Sequence, residues 1–393
     1  MSNKKDQNGV NRWAMLIVIV LWLAVVIPGG KEIYGHRHFD EPVVLGPGVT
    51  EVKKLSDYSP AVKGTINDCN IYVLDSGEPG GTVFVLGGTH PEEPAGVLSA
   101  VTIVENVIPT NGKILVAVRG NYSASTVTRP GDAYPLYYSI KTDFGERTFR
   151  MGDRWSNPLD SWPDPEVYIN YPSKQLLAYM DVRNLNRTWP GRHNGMITER
   201  TCAAFIDLIK QENVDLFFDL HEAELEYSVI STIVAHQNAA DIASMASMML
   251  SSSEFHMGME YSPETLHGLS HREVGDFTDA LAFEIEVPEP FLDRVRGVTD
   301  EKLLLEGKDE FVMKAGEHGL LYESIDENGW PIDERVGRTN STIDMIITMF
   351  NEFEPGREIG YVNLPLRDEV VANGLGSYLL DPNSAAPDRV VFD

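Results

Sequence analysis

The sequence predicts an α/β protein with a mixed, largely parallel sheet, helices on both faces of that sheet, and a separate apolar helix at the N-terminus. Short runs rich in Val, Ile, Tyr and Phe alternate with segments of helical periodicity, which is typical of parallel strands joined by helices. The first 30 residues instead form a polar stretch followed by an apolar one. With 393 residues, of which 42% are hydrophobic and 23% charged, the chain can bury a large core, so we expect one compact domain behind the N-terminal segment.

The N-terminal segment has the charge and hydropathy pattern of a membrane anchor. Residues 1–12 are polar and basic, residues 13–27 are apolar, and Pro28-Gly29-Gly30 ends the run. As a helix, residues 13–27 would rise about 22 Å, which approaches the roughly 30 Å hydrocarbon core of a bilayer. A cleaved signal peptide has the same layout, but Val26-Ile27-Pro28 is a poor cleavage site. We therefore favour a cytoplasmic tail at 1–12 and an anchor at 13–30, with the rest extracytoplasmic; cleavage would leave a secreted or periplasmic protein.

The region after the anchor divides into a linker and a domain. Residues 31–63 are mixed in composition and interrupted by Pro and Gly, which predicts a linker leading to an edge strand. Residues 64–393 carry the periodic segments. The predicted strands are residues 70–74, 82–86, 113–118, 214–220, 227–234 and 281–287. The predicted helices are residues 94–107, 198–213, 239–250, 301–318 and 343–353, and residues 360–364 are a further candidate for an edge strand.

Two parts of this domain depart from regular alternation. Residues 121–180 are dense in Tyr, Pro, Asp and Gly, which predicts a loop-rich insertion. Residues 291–393 are mainly helical in pattern.

Charge and cysteine content narrow the classes of partner. The formal net charge of −27 repels phosphate backbones, so no nucleic-acid partner is expected. Cys69 and Cys202 are the only cysteines and lie far apart in the sequence, which excludes a cysteine metal site or a disulfide framework. Cys202 falls in a helical apolar stripe and is expected to be a small buried side chain.

Polar side chains of catalytic type follow three of the predicted strands. In an open α/β sheet, ligands bind beyond the carboxyl ends of the strands. Thr89-His90-Pro91-Glu92-Glu93 follows the strand at 82–86, His221-Glu222 follows that at 214–220, and Glu284 and Glu286 lie in that at 281–287. Two imidazoles and one carboxylate, with one position left for water, describe a catalytic zinc site. His90, Glu93 and His221 supply this set.

Four motifs occur in a fixed order between roughly residues 70 and 290. They are GGTHPEE at 87–93, NRTWPG at 186–191, DLH at 219–221 and IEV at 285–287. In this order the chain resembles the succinylglutamate desuccinylase/aspartoacylase family, within the zinc carboxypeptidase superfamily. The resemblance implies a zinc carboxypeptidase-like fold with one zinc ion per chain. It also implies roles for six residues: zinc ligands His90, Glu93 and His221, catalytic base Glu286, and the pair Asn186 and Arg187 that holds a substrate carboxylate.

The residues by themselves leave several roles open. Glu284 and Glu286 are two apart on a strand and face the same way, so only the family pattern favours Glu286. Glu222 and Glu224 are rival bases but are expected to be surface carboxylates. Asp219 is either a residue that orients its neighbours or a structural buried acid. The arginine that stabilises the oxyanion in the family has four candidates and stays unassigned: Arg119, Arg150, Arg154 and Arg183.

The sequence departs from the family in its C-terminal part. Small-substrate deacylases of the family carry a β-rich C-terminal domain that narrows the site, whereas residues 291–393 here read as helical. Aromatic residues of the insertion could supply the missing wall: Trp155, Trp162, Tyr168 and Tyr171. Ser270-His271-Arg272 is expected to be a loop that lines the site.

Three functions compete on these observations. The leading one is a zinc-dependent deacylase that cleaves an amide bond adjacent to a carboxylate, and the second is an extracytoplasmic carboxypeptidase acting on peptides or cell-wall fragments. A non-catalytic, membrane-tethered zinc binder is the least favoured. The expected partners are a small-molecule or peptide substrate with a carboxylate and, through the N-terminal helix, the membrane.

Overall fold

The structure is a computed structural model that describes residues 12–127, 135–253, 255–292 and 299–393. The chain divides into two units, Met1–Phe39 and Asp40–Asp393. Apart from Arg12, the predicted cytoplasmic tail at 1–12 lies outside the described residues.

The described part of the first unit is one long helix, α1 (Arg12–Arg37). Within Trp13–Arg37, the most apolar window of 18 residues has a mean hydropathy of 2.4 and no buried residue, so the helix could cross a membrane by length and composition. A signal sequence would pass the same test. The helix continues through Pro28 and past residue 30, the predicted end of the anchor, to Arg37.

The second unit alternates strands and helices along much of its length. Its helices in the described residues are α2 (Pro94–Asn106), α3 (Tyr122–Ser125), α4 (Pro158–Ser161), α5 (Ile197–Gln211), α6 (Ala240–Ser253), α7 (Ser270–Phe277), α8 (Glu301–Glu306), α9 (Glu310–Glu317), α10 (Ile332–Phe353) and α11 (Arg367–Asn373). Its strands there are β1 (Pro42–Val44), β2 (Glu51–Lys54), β3 (Asn70–Asp75), β4 (Thr82–Leu86), β5 (Ile108–Asn111), β6 (Lys113–Ala117), β7 (Tyr137–Thr142), β8 (Gly145–Arg150), β9 (Tyr168–Ile169), β10 (Leu176–Leu177), β11 (Leu216–Glu224), β12 (Thr232–Ala235), β13 (Gly258–Tyr261), β14 (Leu281–Glu289), β15 (Gly360–Val362) and β16 (Val390–Phe392).

Eight of these strands form the central sheet, in the order β13-β12-β14-β11-β4-β6-β3-β2. The four inner strands β14, β11, β4 and β6 are parallel to one another, and β12 and β3 run antiparallel to their inner neighbours. The predicted mixed, largely parallel sheet is thus confirmed. The strand at the end of the predicted linker is also found, since β2 forms one edge of the sheet.

Helices cover both faces of the sheet, as the alternation predicts. One apolar core joins the sheet to α2, α6 and α10, and the other joins it to α5 and α7. Both cysteines are buried and free. The backbones of α2 and β11 lie very close, because a Cβ at Gly96 would stand 2.6 Å from the carbonyl oxygen of Leu220. Only glycine permits this approach, which brings the start of α2 to the end of β11.

Several predicted elements differ from those observed. The run at 214–220 extends as β11 to Glu224, so His221 and Glu222 lie inside a strand rather than after it. The strand predicted at 227–234 is confined to β12, and the helix at 301–318 is broken into α8 and α9 at Gly307, whose left-handed backbone ends α8. The strand predicted near 360–364 pairs with β5 in a separate two-stranded sheet and not at the edge of the central one.

The two irregular regions contain more strand than the sequence predicts. The insertion at 121–180 carries two antiparallel hairpins, β7–β8 and β9–β10, besides its loops. Residues 299–393 are mainly helical as predicted, but β16 returns to pair with β1 near the start of the unit.

Candidate metal centre

The candidate centre lies where the carboxyl ends of β4, β11 and β14 meet. These three strands are neighbours and parallel, so their carboxyl ends share one edge of the sheet. After β4, Gly88 adopts a φ of 62°, which turns the chain toward His90 and Glu93. Glu93 directly precedes α2, with Pro94 at its first turn. His221 lies in β11 and is paired in register with Glu286 of β14.

The three predicted ligands converge. His90, Glu93 and His221 are buried, and one ligand atom of each lies within 4.8 Å of the others. Glu93 stands between the imidazoles: its Oε1 is 2.7 Å from His90 Nδ1 and its Oε2 is 2.9 Å from His221 Nδ1. Burial acts to raise the pKa of Glu93, but the two imidazoles outweigh it and hold that pKa well below its usual range. Both Nδ1 atoms therefore face one point beside an ionised carboxylate.

The opposite nitrogen of each imidazole faces an oxygen atom. His90 Nε2 is 2.9 Å from Asn184 Oδ1, and His221 Nε2 is 3.1 Å from Asp219 Oδ2. Asp219 is itself fixed by a 2.6 Å hydrogen bond that Thr89 Oγ1 donates to its Oδ1. An acceptor at Nε2 keeps the proton there and leaves Nδ1 as a lone-pair donor, which is the usual arrangement around a metal-bound histidine. Asn184 meets this description for His90, a contact that sequence reasoning did not find. Asp219 is a buried acid beside His221, but its 3.1 Å contact lacks hydrogen-bond geometry, so its orienting role stays a prediction.

The two glutamates of β14, Glu284 and Glu286, have different environments. Glu284 Oε2 accepts a 2.8 Å hydrogen bond from Asn186 Nδ2, and its carboxylate lies 3.5 to 3.7 Å from His271 and His221. Glu286 Oε2 is buried and has no hydrogen-bond partner among the described residues. Burial and the nearby Glu284 raise the pKa of Glu286 well above its ordinary value. Of the two, Glu286 is the carboxyl group with an oxygen that no other described residue holds by a hydrogen bond.

The two rival glutamates of β11 have different environments. The expectation that Glu222 is a surface carboxylate is wrong: it is buried, accepts a hydrogen bond from the Ala95 amide and forms a 2.6 Å ion pair with the buried Arg335. The reason is that a central strand is covered on both faces, so β11 buries acidic residues on either side. Glu224 is partly exposed at the rim, with Arg154 Nη2 3.9 Å from its Oε1.

The predicted carboxylate-binding pair borders the cavity. Both amide ends of Asn186 are used by the protein, since Nδ2 donates to Glu284 and Oδ1 accepts from the Ser270 amide. Arg187 is partly exposed, and its Nη1 donates to the carbonyl of Asn186. Arg187 therefore faces the cavity as a cation, while Asn186 is held rigidly beside it.

Of the four arginines considered for the oxyanion, one lines the cavity. Arg154 donates from Nε to Glu92, and its Nη2 lies 3.9 Å from Glu93 Oε1. Arg119 and Arg150 are buried and paired with Glu41, and the structure places neither on the cavity wall. Arg183 is paired with Asp164 at 3.1 Å.

These groups surround a cavity of about 340 Å³. Besides the residues above, its wall is formed by parts of the segments 223–229 and 260–271, including Tyr227, Glu260 and Leu266. The expected aromatic wall is not found there: among the described residues of the insertion, Arg154 alone lines the cavity. Ser270-His271-Arg272 is the first turn of α7 rather than a loop, and His271 reaches the cavity wall.

Comparisons with known proteins agree with the motif pattern. The model of the succinylglutamate desuccinylase/aspartoacylase catalytic domain matches residues 169–290, which confirms the resemblance over that part of the chain. The matched part contains Asn186, Arg187, His221 and Glu286, whereas His90 and Glu93 precede it. No curated protein matches the sequence significantly.

Solved structures similar to this chain include hydrolases of both types. A metallo-carboxypeptidase from Burkholderia cenocepacia has 12% identity and a TM-score of 0.44 over 83% of this chain and 69% of its own. A succinylglutamate desuccinylase from a Silicibacter species has 17% identity and a TM-score of 0.33 over 55% and 52%. A metallo-carboxypeptidase from Pseudomonas aeruginosa, in complex with (2-guanidinoethylmercapto)succinic acid, has 13% identity and a TM-score of 0.43 over 78% and 66%. The chain spans about half of the desuccinylase, and likeness at this level concerns the fold alone.

Proposed function

We propose that this chain is a zinc-dependent hydrolase that cleaves an amide bond adjacent to a carboxylate. One observation carries the proposal: the Nδ1 atoms of His90 and His221 and the carboxylate of Glu93 converge at one buried point, while an oxygen atom faces each Nε2. Buried imidazoles oriented in this way are typical of metal ligands. The site opens into a cavity lined by further carboxyl groups, Glu286 among them, and by Arg154 and Arg187.

The donor set fits zinc. Two imidazole nitrogens and one carboxylate are the protein ligands of several catalytic zinc sites, in which the fourth position is left to water. His90, Glu93 and His221 would hold one ion per chain. When bound, zinc would lower the pKa of its water and polarise the scissile carbonyl.

The remaining groups would have separate roles in amide hydrolysis. Glu286 lies next to His221 across two paired strands, and its buried Oε2 has no competing partner in the described residues. It would accept the proton of the attacking water and deliver it to the leaving amine. Arg187 would bind the substrate carboxylate through parallel hydrogen bonds, with Asn186 beside it. Arg154, whose Nη2 lies 3.9 Å from Glu93 Oε1, would stabilise the developing oxyanion.

An N-acyl amino acid is the first substrate class that this arrangement suits, because one cation recognises one carboxylate next to the scissile bond. A peptide with a free C-terminus presents the same carboxylate. One observation favours this second class: no described residue beyond Glu286 lines the cavity, so the helical C-terminal part does not narrow it. A carboxypeptidase acting on peptides or cell-wall fragments is therefore the second candidate.

Metal analysis combined with a substrate panel tests the proposal. Purified protein is analysed for bound metals and assayed with N-acyl amino acids and with peptides that have free C-termini. We expect one zinc per chain, and zinc loss in His221→Gln. His236→Gln is the matched control, because His236 is also buried but pairs with Asp276 outside the cavity. Equal zinc content in both variants, or no hydrolysis of either substrate class, would reject the proposal.

We also propose that α1 anchors the chain in the cell membrane as a single span, with the catalytic unit on the extracytoplasmic side. The support is the length and hydropathy of Trp13–Arg37 together with the basic residues that precede it. Mass spectrometry of the native N-terminus separates this arrangement from a cleaved signal peptide. Intact residues 1–30 in the mature protein are the expected result, and their absence would reject the anchor.

A further inference from the structure

The insertion exposes an unusual number of large apolar side chains. Within residues 159–179, seven such side chains are between 51% and 76% exposed. We call them the apolar surface: Leu159, Trp162, Val167, Ile169, Tyr171, Leu176 and Tyr179. Single exposed hydrophobic residues are normal in a soluble protein, whereas a concentration of them within one short segment is typical of an interaction site.

Two of these side chains share one face of the β9–β10 hairpin. Ile169 and Leu176 are directly paired, so they point to the same face, and both are more than half exposed. The alternate pair, Tyr168 and Leu177, points the other way, and Tyr168 is buried. The short helical segment that begins at Tyr179 packs against β9. The hairpin thus has one face on the protein and one apolar face in solvent.

The apolar surface is linked to the place where the chain enters the second unit. Glu41, the residue before β1, pairs with Arg119, which donates a 3.3 Å hydrogen bond to Ser125 of α3. In the same short helix, Ser123 donates a 2.7 Å hydrogen bond to Asp160, which is adjacent to Leu159. These contacts connect the entry point to Leu159, the first residue of the apolar surface.

The connection from α1 to this entry point is short. Four residues lead from Arg37 to Glu41, and at most about 3.6 Å per residue gives a reach of roughly 14 Å. If α1 spans the membrane, this reach keeps Glu41 within roughly 14 Å of the end of α1.

We infer that the apolar surface inserts into the headgroup region of the lipid bilayer in which α1 is anchored. This inference rests on the membrane anchor proposed above and is independent of the catalytic proposal. Trp and Tyr beside aliphatic residues are the side chains that proteins place at a membrane interface. The hairpin also packs near the catalytic cavity, since Gln175 Oε1 accepts from the His267 amide and Asn170 donates to the carbonyl of Arg187. Docking would therefore hold the cavity near the membrane surface.

The charge of this segment distinguishes insertion of apolar side chains from electrostatic attraction to anionic lipids. Residues 158–181 carry four carboxylates and a single lysine, so this segment is repelled by anionic lipids. The interaction is driven by apolar burial and does not need anionic lipid. Vesicles of pure phosphatidylcholine are accordingly the probe of choice.

The test uses nitroxide labels on the full chain reconstituted in phosphatidylcholine vesicles. Cys69 and Cys202 are buried, so a label reacts at one introduced cysteine. Leu176→Cys reports on the apolar surface, and Leu320→Cys is the matched control, because the two leucines are 67% and 66% exposed. Ile169→Cys provides a second position on the same face. Oxygen concentrates in lipid and a polar nickel complex is excluded from it, so we expect the ratio of oxygen to nickel collisions to be about tenfold higher at 176 and 169 than at 320.

Each other outcome overturns the inference in a recognisable way. Failure of the chain to float with the vesicles removes the anchor and the docking together, and leaves the catalytic proposal untouched. Flotation with equal, water-like collision ratios at the three positions removes docking alone. Labels at 176 and 169 that are immobilised and shielded from both reagents, with or without lipid, would show that a protein or a second copy of this chain covers the surface.

Discussion

Replacing Glu286 with glutamine separates its catalytic role from a structural one. Gln has the shape of Glu, and the buried Oε2 of Glu286 has no hydrogen bond to lose among the described residues. A general base contributes roughly 10²- to 10⁴-fold to a rate, or about 2.7 to 5.5 kcal/mol of transition-state stabilisation at 1.36 kcal/mol per decade. We expect kcat of Glu286→Gln to be lower than that of the unaltered protein by roughly 10²- to 10⁴-fold. One zinc per chain should be retained, because Glu286 is not among the proposed ligands.

Although kcat should fall, the free energy of unfolding of the metal-free variant at pH 7 should not. Burial and Glu284 raise the pKa of Glu286 above its unfolded value, so its contribution to stability is fully present below about pH 4.3 and is lost as the pH rises through the folded pKa. Glutamine does not ionise. Metal-free Glu286→Gln should therefore be at least as stable as the unaltered protein at pH 7, as measured by urea unfolding.

The control for this experiment is Glu224→Gln, which alters a partly exposed carboxylate at the rim of the same cavity. We expect its kcat to remain within a few-fold of the unaltered value. The measurements are kcat from steady-state assays with the best substrate of the panel, and the zinc content of each variant. A zinc-loaded Glu286→Gln protein that keeps its activity, or a Glu224→Gln protein that loses as much, would refute the assignment of the base.

Three further predictions concern other parts of the same site. Asp219→Asn should weaken zinc binding by about 10- to 100-fold in competition with a chromogenic chelator, because it alters the group that orients His221; unchanged affinity would contradict this role. Arg335→Met should destabilise the protein by about 3 to 5 kcal/mol in urea, because it leaves Glu222 buried without its cation, and Glu222→Leu in the same chain should restore much of the loss. Arg187→Lys should raise KM for carboxylate substrates while leaving the Tm unchanged, because lysine cannot make two parallel hydrogen bonds; an unaltered KM would exclude Arg187 from carboxylate binding.

The sheet was predictable because its strands carry strong local signals. The strand at 82–86 was found with correct ends, since β-branched and aromatic residues stop there at Gly87-Gly88. The end of β11 was missed, because His221 and Glu222 have the polarity of loop residues. Their burial follows from neighbours on either side of the strand, including Glu93 and Arg335. Such partners are remote in sequence, and no local pattern reveals them.

The Met stripe of α6 shows a similar limit. The pattern of Ile242, Met245, Ala246 and Met249 predicts one buried face, and Ile242 and Ala246 are buried. Met245 and Met249 are 36% and 39% exposed. A helical stripe gives the direction of the apolar face, but how much of it is covered depends on the width of the neighbouring elements, which the sequence of α6 does not contain.

Strand order and direction predict the position of those site residues that lie on or directly after strands, but not of the others. Because β4 and β11 are adjacent and parallel, side chains that follow one and end the other must meet, and β14 beside β11 brings Glu286 to the same edge. Asn184 and Arg154 come from irregular segments, whose position no strand register determines. Their contacts with His90 and Glu93 arise from how the insertion and the residues directly after it fold back onto the sheet. The ligands of the proposed zinc site could therefore be deduced from the order of motifs, whereas the groups that orient them had to be seen in the structure.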